Sequence, residues 1–101
     1  MGAAPAARLR ELAGIAAPDV RFRDRFSLLA GQADLSAHIG AAQHFMPGLR
    51  LQRRGEVRHC QGMLLVDWVA VDAAGETRGQ GANVFELGAD GRITAAVGFR
   101  A

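Results

Sequence analysis

The chain has 101 residues, the size of one ordinary domain; half are apolar and 22% are charged, a balance typical of a globular protein with a real core. Its twelve basic residues are all arginine and stand against ten carboxylates, so the formal net charge is only +2. Because the arginines are scattered among Asp and Glu, without stacking aromatics on a basic face, we expect no nucleic-acid partner.

The alanine-rich N-terminal stretch does not have the pattern of a targeting or membrane segment. Arg8, Arg10 and Glu11 interrupt it before the apolar core of a signal peptide or a membrane span could form. We therefore expect a cytoplasmic protein with no membrane contact. The single cysteine, Cys60, excludes an intrachain disulfide and a multi-cysteine metal site, and we expect it to be a small buried residue.

Two helices are predicted. The first covers 5–14, where Pro5 suits the first turn and Gly14 followed by Pro18 supplies a stop. The second follows Gly31 and runs to about residue 46, where Pro47 and Gly48 end it. Its apolar residues recur at helical spacing, at Leu35, Ile39, Ala42 and Met46.

The remaining segments alternate as strands do. An early strand over 19–25 is followed, after the second helix, by four strands near 49–60, 63–72, 76–88 and 92–100. Asp90-Gly91 is the strongest hairpin signal among their connections. This order predicts an α+β fold in which the helices cover one face of an antiparallel sheet. The stretch 63–71 is apolar on both faces, so we expect a second copy of the chain, in a homodimer, to cover the other face.

Two polar residues fall in phase with apolar ones. Asp24 shares a strand face with Val20 and Phe22, so it is either a buried general base or hydrogen-bond donor, or the cap of a turn where the strand has already ended. Asn83 is in phase with Gly79 and Gly81, which remove side-chain volume from that face. Asn83 therefore either contacts a ligand beside vacated space or satisfies a backbone group at a bend.

Aromatic residues are the other candidates for a pocket. Trp68 is either a core or pocket-wall residue or part of an interface, and His38 lies at the edge of the apolar stripe of the second helix, whereas His44 projects away from it. No two histidines have the spacing of a metal pair, so we expect no metal site. Nucleotide-binding and hydrolase motifs are absent from the sequence, and we expect no cofactor.

Several phrases of the sequence carry a family resemblance. They are DVRF at 19–22, MPGL at 46–49, NVFEL at 83–87, DGRI at 90–93 and VGF at 97–99, together with Trp68. In this order they resemble the SnoaL-like polyketide cyclases of the nuclear transport factor 2-like superfamily, across nearly the whole chain. The resemblance implies a cone-shaped α+β fold in which a strongly bent antiparallel sheet encloses a pocket, with helices packed on its concave face, and frequent dimers through the sheet.

The resemblance also implies roles for particular residues. By similarity to ketosteroid isomerase, Asp24 stands where that family carries its proton-shuttling base, and Asn83 stands where it carries an acid that donates to the oxyanion. The chain has no tyrosine, and its single SnoaL-like domain, 1–101, is expected to lack the long first helix that holds the oxyanion tyrosine of the isomerase.

Three functions remain open on the sequence. The chain is a non-catalytic domain that binds a hydrophobic small molecule, an isomerase or cyclase in which Asp24 removes a proton beside a carbonyl, or a dimerisation module whose cavity is filled. The residues expected to line or fill the cavity are Phe22, His38, Trp68, Phe85 and Phe99. An open cavity with polar groups would favour the first two functions, and a filled one the third.

Overall fold

The computed structural model describes residues 5–101, with side chains from Ala6 onward, so the first four residues of the predicted domain lie outside the described part. Two helices, α1 (Pro5–Ile15) and α2 (Gln32–Phe45), are found where the sequence predicts them. The strands are β1 (Ala16–Arg23), β2 (Leu28–Ala30), β3 (Arg50–Arg53), β4 (Arg58–Cys60), β5 (Met63–Val71), β6 (Thr77–Leu87) and β7 (Ile93–Arg100). In this part of the chain, no helix is long and apolar enough to cross a membrane.

The strands form one curved, open sheet, which confirms the α+β prediction. The order is β2-β1-β7-β6-β5-β3, with β4 also paired to β5. The sheet is mixed and not purely antiparallel, because β1 runs parallel to β7 while every other pair is antiparallel. The parallel pair brings the first strand against the last one, a contact that no local sequence pattern encodes.

Three boundaries differ from the predicted strands. β1 begins directly after α1 and ends at Arg23, before a turn whose return strand, β2, was not predicted. The single strand expected over 49–60 is two strands, separated by the irregular stretch 54–57 that contains Gly55 at a positive φ of 76°. A glycine at that φ breaks a strand readily because it has no Cβ to clash with the backbone.

The helices pack on each other and on β1. Arg8 of α1 lies across α2, where its Nε donates to the buried Ser36 Oγ at 3.2 Å. A Cβ on Gly40 would lie 2.8 Å from an Nη of Arg8. The glycine in the middle of α2 thus makes room for the arginine of α1, and the two helices form one layer over the sheet.

The Asp90-Gly91 connection is a tight turn, as predicted. Asp90 accepts from the backbone N–H of Arg92 at 2.9 Å and from its Nε at 2.8 Å, and Gly91 has φ 82°. Both hydrogen bonds hold the pKa of Asp90 below its ordinary value of 3.8, and the bond from the backbone N–H has the larger effect. Arg92 also donates to the carbonyl of Ala13 at 3.2 Å, which ties the turn to the end of α1.

The fully buried core consists mostly of small residues. Its apolar members are Leu12, Ala16, Ala17, Val20, Ala70 and Ala96. No large side chain among the described residues is less than 2% exposed. The larger apolar residues of the central strands, such as Leu65, Val84 and Val97, are only half-buried. The helix layer therefore leaves the second face of the sheet uncovered, although β5 is apolar on that face as well.

Candidate functional site

A cavity of ≈ 330 Å³ lies between α2 and the face of the sheet that the helices cover, here called the inner face. Its walls come from β1 with the turn after it, from α2, and from β3, β5, β6 and β7. Most of the wall surface is apolar, and the polar or charged residues that line it are Asp24, Arg25, His38, Asn83 and Arg100. A cleft of ≈ 620 Å³ adjoins it, shares Trp68, Phe99 and Arg100 with it, and is more open to solvent. The smaller, more enclosed cavity is the better ligand site.

Strand pairing determines which residues meet in this cavity. Asn83 of β6 pairs with Gly98 of β7, and Phe22 of β1 pairs in parallel register with Ala96 of the same strand. Residues directly opposite each other point to the same face of a sheet. Asp24, two residues after Phe22, therefore lies beside Gly98, and Asn83 lies on its other side.

Gly98 is the point where the two polar candidates come together. A Cβ built there would lie 3.1 Å from Asn83 Oδ1, 3.4 Å from the Cβ of Asp24 and 3.8 Å from the Phe22 ring. Both polar side chains are thus in van der Waals reach of one position in the sheet. The sequence did not single out Gly98, because its importance depends on two strands that are distant in sequence.

Asp24 caps a turn, which is one of the two alternatives that the sequence left open. Its Oδ1 accepts from the backbone N–H groups of Phe26 at 2.9 Å and of Ser27 at 2.7 Å, and so caps the turn between β1 and β2. The same residue lines the cavity. Within residues 5–101, no donor bonds its Oδ2 and no cation lies within ion-pair distance. One carboxylate oxygen holds the turn, and the other has no protein partner there.

Asn83 is oriented by Trp68. The indole Nε1 donates to Asn83 Oδ1 at 3.0 Å. Because an indole N–H can only donate, the acceptor must be the amide oxygen, which leaves the amide NH₂ of Asn83 available as a donor. Gly81 lets the indole lie close to β6, since a Cβ there would collide with the ring and with the carbonyl of Phe99. Gly81 therefore accommodates Trp68 and backbone, and the vacated space expected at Gly81 is occupied.

Gly79 also differs from its expected role. A Cβ on Gly79 would lie 3.0 Å from an Nη of Arg100, so the space beside this glycine is taken by a guanidinium group. Arg100 itself lines the cavity, as does Arg25. Continued alternation along β1 would put Arg25 with Arg21 and Arg23 on the opposite face, but β1 ends at Arg23 and the turn brings Arg25 to the cavity.

The predicted aromatic residues are only partly brought together. Phe22, His38, Trp68 and Phe99 border the cavity, and the rings of Phe22 and His38 are 5.9 Å apart. Phe99 pairs with Ala82 on the other face, however, and is 58% exposed. Phe85 is in phase with Asn83 but pairs with Leu64 and Ala96 away from the cavity, so it is not part of the wall.

The other candidate residues do not form a second site. His59 accepts through Nε2 from the backbone N–H of Gly62 at 3.3 Å, and His44 is exposed near the end of α2. Cys60 is exposed and not buried as expected, because β4 is a short strand paired only with β5, and all three of its residues are exposed. In the stretch from Pro5 to Ala101, no group of three or more His, Cys, Asp or Glu side chains could hold a metal ion.

Solved structures resemble this fold over almost the whole chain. A candidate isomerase of the SnoaL-like family from Agrobacterium tumefaciens superposes with a TM-score of 0.93 at 25% identity, over 99% of this chain and 86% of that one. A SnoaL-like protein of unknown function from Burkholderia thailandensis gives 0.76 at 17% identity, over 96% and 83%. A candidate polyketide cyclase from Sinorhizobium meliloti gives 0.76 at 18% identity, over 93% and 84%.

The likeness is one of structure, with little sequence identity. No protein-family model matches the chain, and no curated protein matches it either. Several further structures with the same fold are NTF2-like proteins of unknown function. With the curved sheet, the element order and the near-complete superposition in place, the chain has the fold of the SnoaL-like proteins in the nuclear transport factor 2-like superfamily.

Proposed function

We propose that the protein binds a small, largely apolar molecule in the cavity between α2 and the inner face of the sheet, with the Asn83 amide donating a hydrogen bond to a polar atom of the ligand. The observation that carries this proposal is the bond from Trp68 Nε1 to Asn83 Oδ1, which turns the amide NH₂ away from the indole. Among residues 5–101 no acceptor bonds this NH₂ group, and such a donor in an aromatic wall suits a carbonyl or similar acceptor of a ligand.

The size of the cavity supports binding over a filled interior. Its ≈ 330 Å³ is at the lower end of the range for small-molecule sites, about 300–1,000 Å³. Phe85, one of the side chains expected to fill the space, packs elsewhere, and Phe99 is directed largely to solvent. A module that uses its cavity only as packed core would have these rings inside.

A thermal-stabilisation screen of small molecules tests the proposal. A ligand present at one hundred times its dissociation constant adds about 2.7 kcal/mol, which raises the Tm of a domain of this size by roughly 10 °C or more. Hits are then measured on Ala42→Phe and Ala41→Phe. Both alanines are exposed on α2, but only Ala42 borders the cavity. The first variant should lose the stabilisation and the second should keep it; equal behaviour of the two would contradict the proposal.

The second candidate function is catalysis of an isomerase or cyclase type. It is favoured by the convergence of Asp24 and Asn83 on Gly98, with Asp24 Oδ2 free of any donor in the described part of the chain. In such a reaction, Asp24 takes a proton from a carbon next to a carbonyl, and the Asn83 amide stabilises the enolate oxygen.

This candidate is tested by Asp24→Asn against wild type. The amide oxygen of Asn can still cap the turn by accepting from Phe26 and Ser27, so the unfolding free energy should change little. Loss of deuterium exchange at the α-carbon of a bound ketone, with binding retained, would support catalysis. Exchange at the wild-type rate in Asp24→Asn would exclude Asp24 as the base.

A homodimer through the outer face of the sheet is part of the proposal. Leu65, Val84 and Val97 lie side by side there in strand register and are only half-buried. A second copy of the same face would cover them. Sedimentation at micromolar concentration should give twice the 10.7 kDa chain mass, and Val84→Glu should give the monomer. A monomeric wild-type protein would contradict this proposal.

A further inference from the structure

One end of the sheet is rich in arginine, at the point where β1 and β7 both end. Arg25, in the turn after β1, and Arg100, the last residue of β7, line the ligand cavity itself. Arg23, on the outer face of β1, lines with them a more open cavity beside Asp24, and Arg54 lines the adjoining cleft together with Arg100. Four arginines from separate stretches of the sequence thus lie near one another at this end of the sheet.

The charge of these arginines is not neutralised by neighbouring carboxylates. In residues 5–101, the ion pairs are Arg58–Asp67, Arg78–Asp72 and Arg92–Asp90, and none of them includes an arginine of this end. Among the residues that the structure describes, Asp24 is the only one whose side-chain carboxyl group lines the ligand cavity, and its Oδ1 already accepts from two backbone N–H groups. The side chains that line the cavity therefore include two guanidinium groups and one carboxyl group, an excess of positive charge.

Each of the two cavity arginines is held by the protein yet keeps free donors. The Arg100 guanidinium lies over Gly79 and donates through one Nη to the carbonyl of Arg78 at 3.3 Å, the single hydrogen bond of its side chain within the described residues. The Arg25 guanidinium lies 5.4 Å from the centre of the Phe26 ring. Stacking on a ring or over a glycine leaves the N–H edge of a guanidinium open to a planar anion.

We propose that the natural ligand is an apolar carboxylate, whose hydrocarbon body occupies the cavity and whose carboxylate is bound by Arg25 and Arg100. This inference rests on the proposed binding function and names the chemical class of the ligand. The apolar walls contact the hydrocarbon part of the ligand, and the two guanidinium groups bind its negative charge. The Asn83 amide then contacts a second polar atom of the ligand, deeper in the cavity.

Calorimetric titration with matched acids and amides tests the inference. The probes are 2-naphthoate with 2-naphthamide and 4-phenylbutyrate with 4-phenylbutyramide, so that each pair has one carbon skeleton and differs in charge. Each acid should bind at least about ten-fold more tightly than its amide, the size of a charged hydrogen bond. Raising the salt concentration should weaken the acid and leave the amide nearly unchanged.

Two variants and one control assign the effect to this end of the sheet. Arg25→Gln and Arg100→Gln should each reduce the preference for the acid, and the double variant should remove it. Arg21→Gln removes the same charge from the outer face of β1, where Arg21 is exposed, and should change nothing. Circular dichroism confirms that each variant is folded, and the two single variants act as independent tests.

The failures of the two proposals are distinguishable. Two results would overturn the carboxylate inference and leave the binding function standing. One is equal affinity of acid and amide in the wild type, and the other is a preference for the acid that survives in the double variant. No binding of either member of either pair at millimolar concentration, together with no stabilising compound in the library screen, would overturn both.

Discussion

Gly98→Ala is the most direct perturbation of the candidate site, because it adds one methyl group between the two polar side chains. The new Cβ would lie 3.1 Å from Asn83 Oδ1, closer than most such contacts, and 3.4 Å from the Cβ of Asp24. A shift of Asn83 Oδ1 away from the new methyl group would disturb its bond to the Trp68 indole, now 3.0 Å. The methyl group also occupies the position where a ligand would contact both Asp24 and Asn83.

The expected change in stability is small. Weakening the indole–amide hydrogen bond destabilises the protein by about 0.5–1.5 kcal/mol. Replacing glycine by alanine in an allowed conformation stabilises it by about 0.4–1 kcal/mol, because the unfolded chain loses conformational entropy. The free energy of unfolding should therefore change by less than about 1 kcal/mol. The affinity for a ligand found by screening should fall roughly five-fold or more, the equivalent of one lost hydrogen bond.

Urea unfolding and ligand titration, both followed by the fluorescence of the single tryptophan, measure the two quantities. Gly14→Ala is the matched control, because nothing lies within 4 Å of its Cβ position at the end of α1. It should stabilise the protein by up to about 1 kcal/mol and leave affinity unchanged. If Gly98→Ala bound the ligand as tightly as the wild type, the polar end of the ligand would not lie between Asp24 and Asn83.

Three further outcomes are expected. In urea unfolding, Gly81→Ala should lower the unfolding free energy by more than about 2 kcal/mol, because its Cβ collides with backbone and with the indole. Gly79→Ala displaces only the flexible end of the Arg100 side chain and should cost less than half as much. Equal losses in the two variants would refute the packing argument. Trp68→Phe should weaken ligand binding by freeing the Asn83 amide to rotate, and titration would show no change if the indole bond had no orienting role. Because the folded-state pKa of Asp90 is lowered, its ionised form stabilises the protein above pH 3.8, and this stabilisation is lost as the pH falls through the folded-state pKa. Asp90→Asn should therefore lose less stability than the wild type in an acid titration. An identical loss in the two proteins would contradict the lowered pKa.

The elements with strong local signals were predictable from the sequence. Stop signals follow both helices, the second helix has apolar residues at helical spacing, and the Asp90-Gly91 turn is specified by two adjacent residues. The return strand β2 is only three residues long, and the break at 54–57 depends on a single glycine conformation, so neither has a pattern long enough to detect.

The site was less predictable, because it depends on long-range register. Leu87 pairs with Ile93, and an unbroken ladder from there would place Val97 opposite Asn83. A bulge between Glu86 and Leu87 shifts the register by one residue and places Gly98 there instead. A shift of one residue exchanges the faces of a strand. Sequence alone could identify Asn83 as a candidate but could not say that a glycine stands beside it.

The parallel pairing of β1 with β7 also has a consequence for how the protein folds. Phe22 and Ala96 are neighbours in the sheet although most of the chain separates them, so their contact closes a very large loop. Large loops close late, since their entropy must be offset by structure that has already formed. We expect the hairpins of β5, β6 and β7 to form first and to serve as the template on which β1 docks. Asp24 would then reach Gly98 in one of the last steps of folding, and the binding site would be complete only when the whole sheet is.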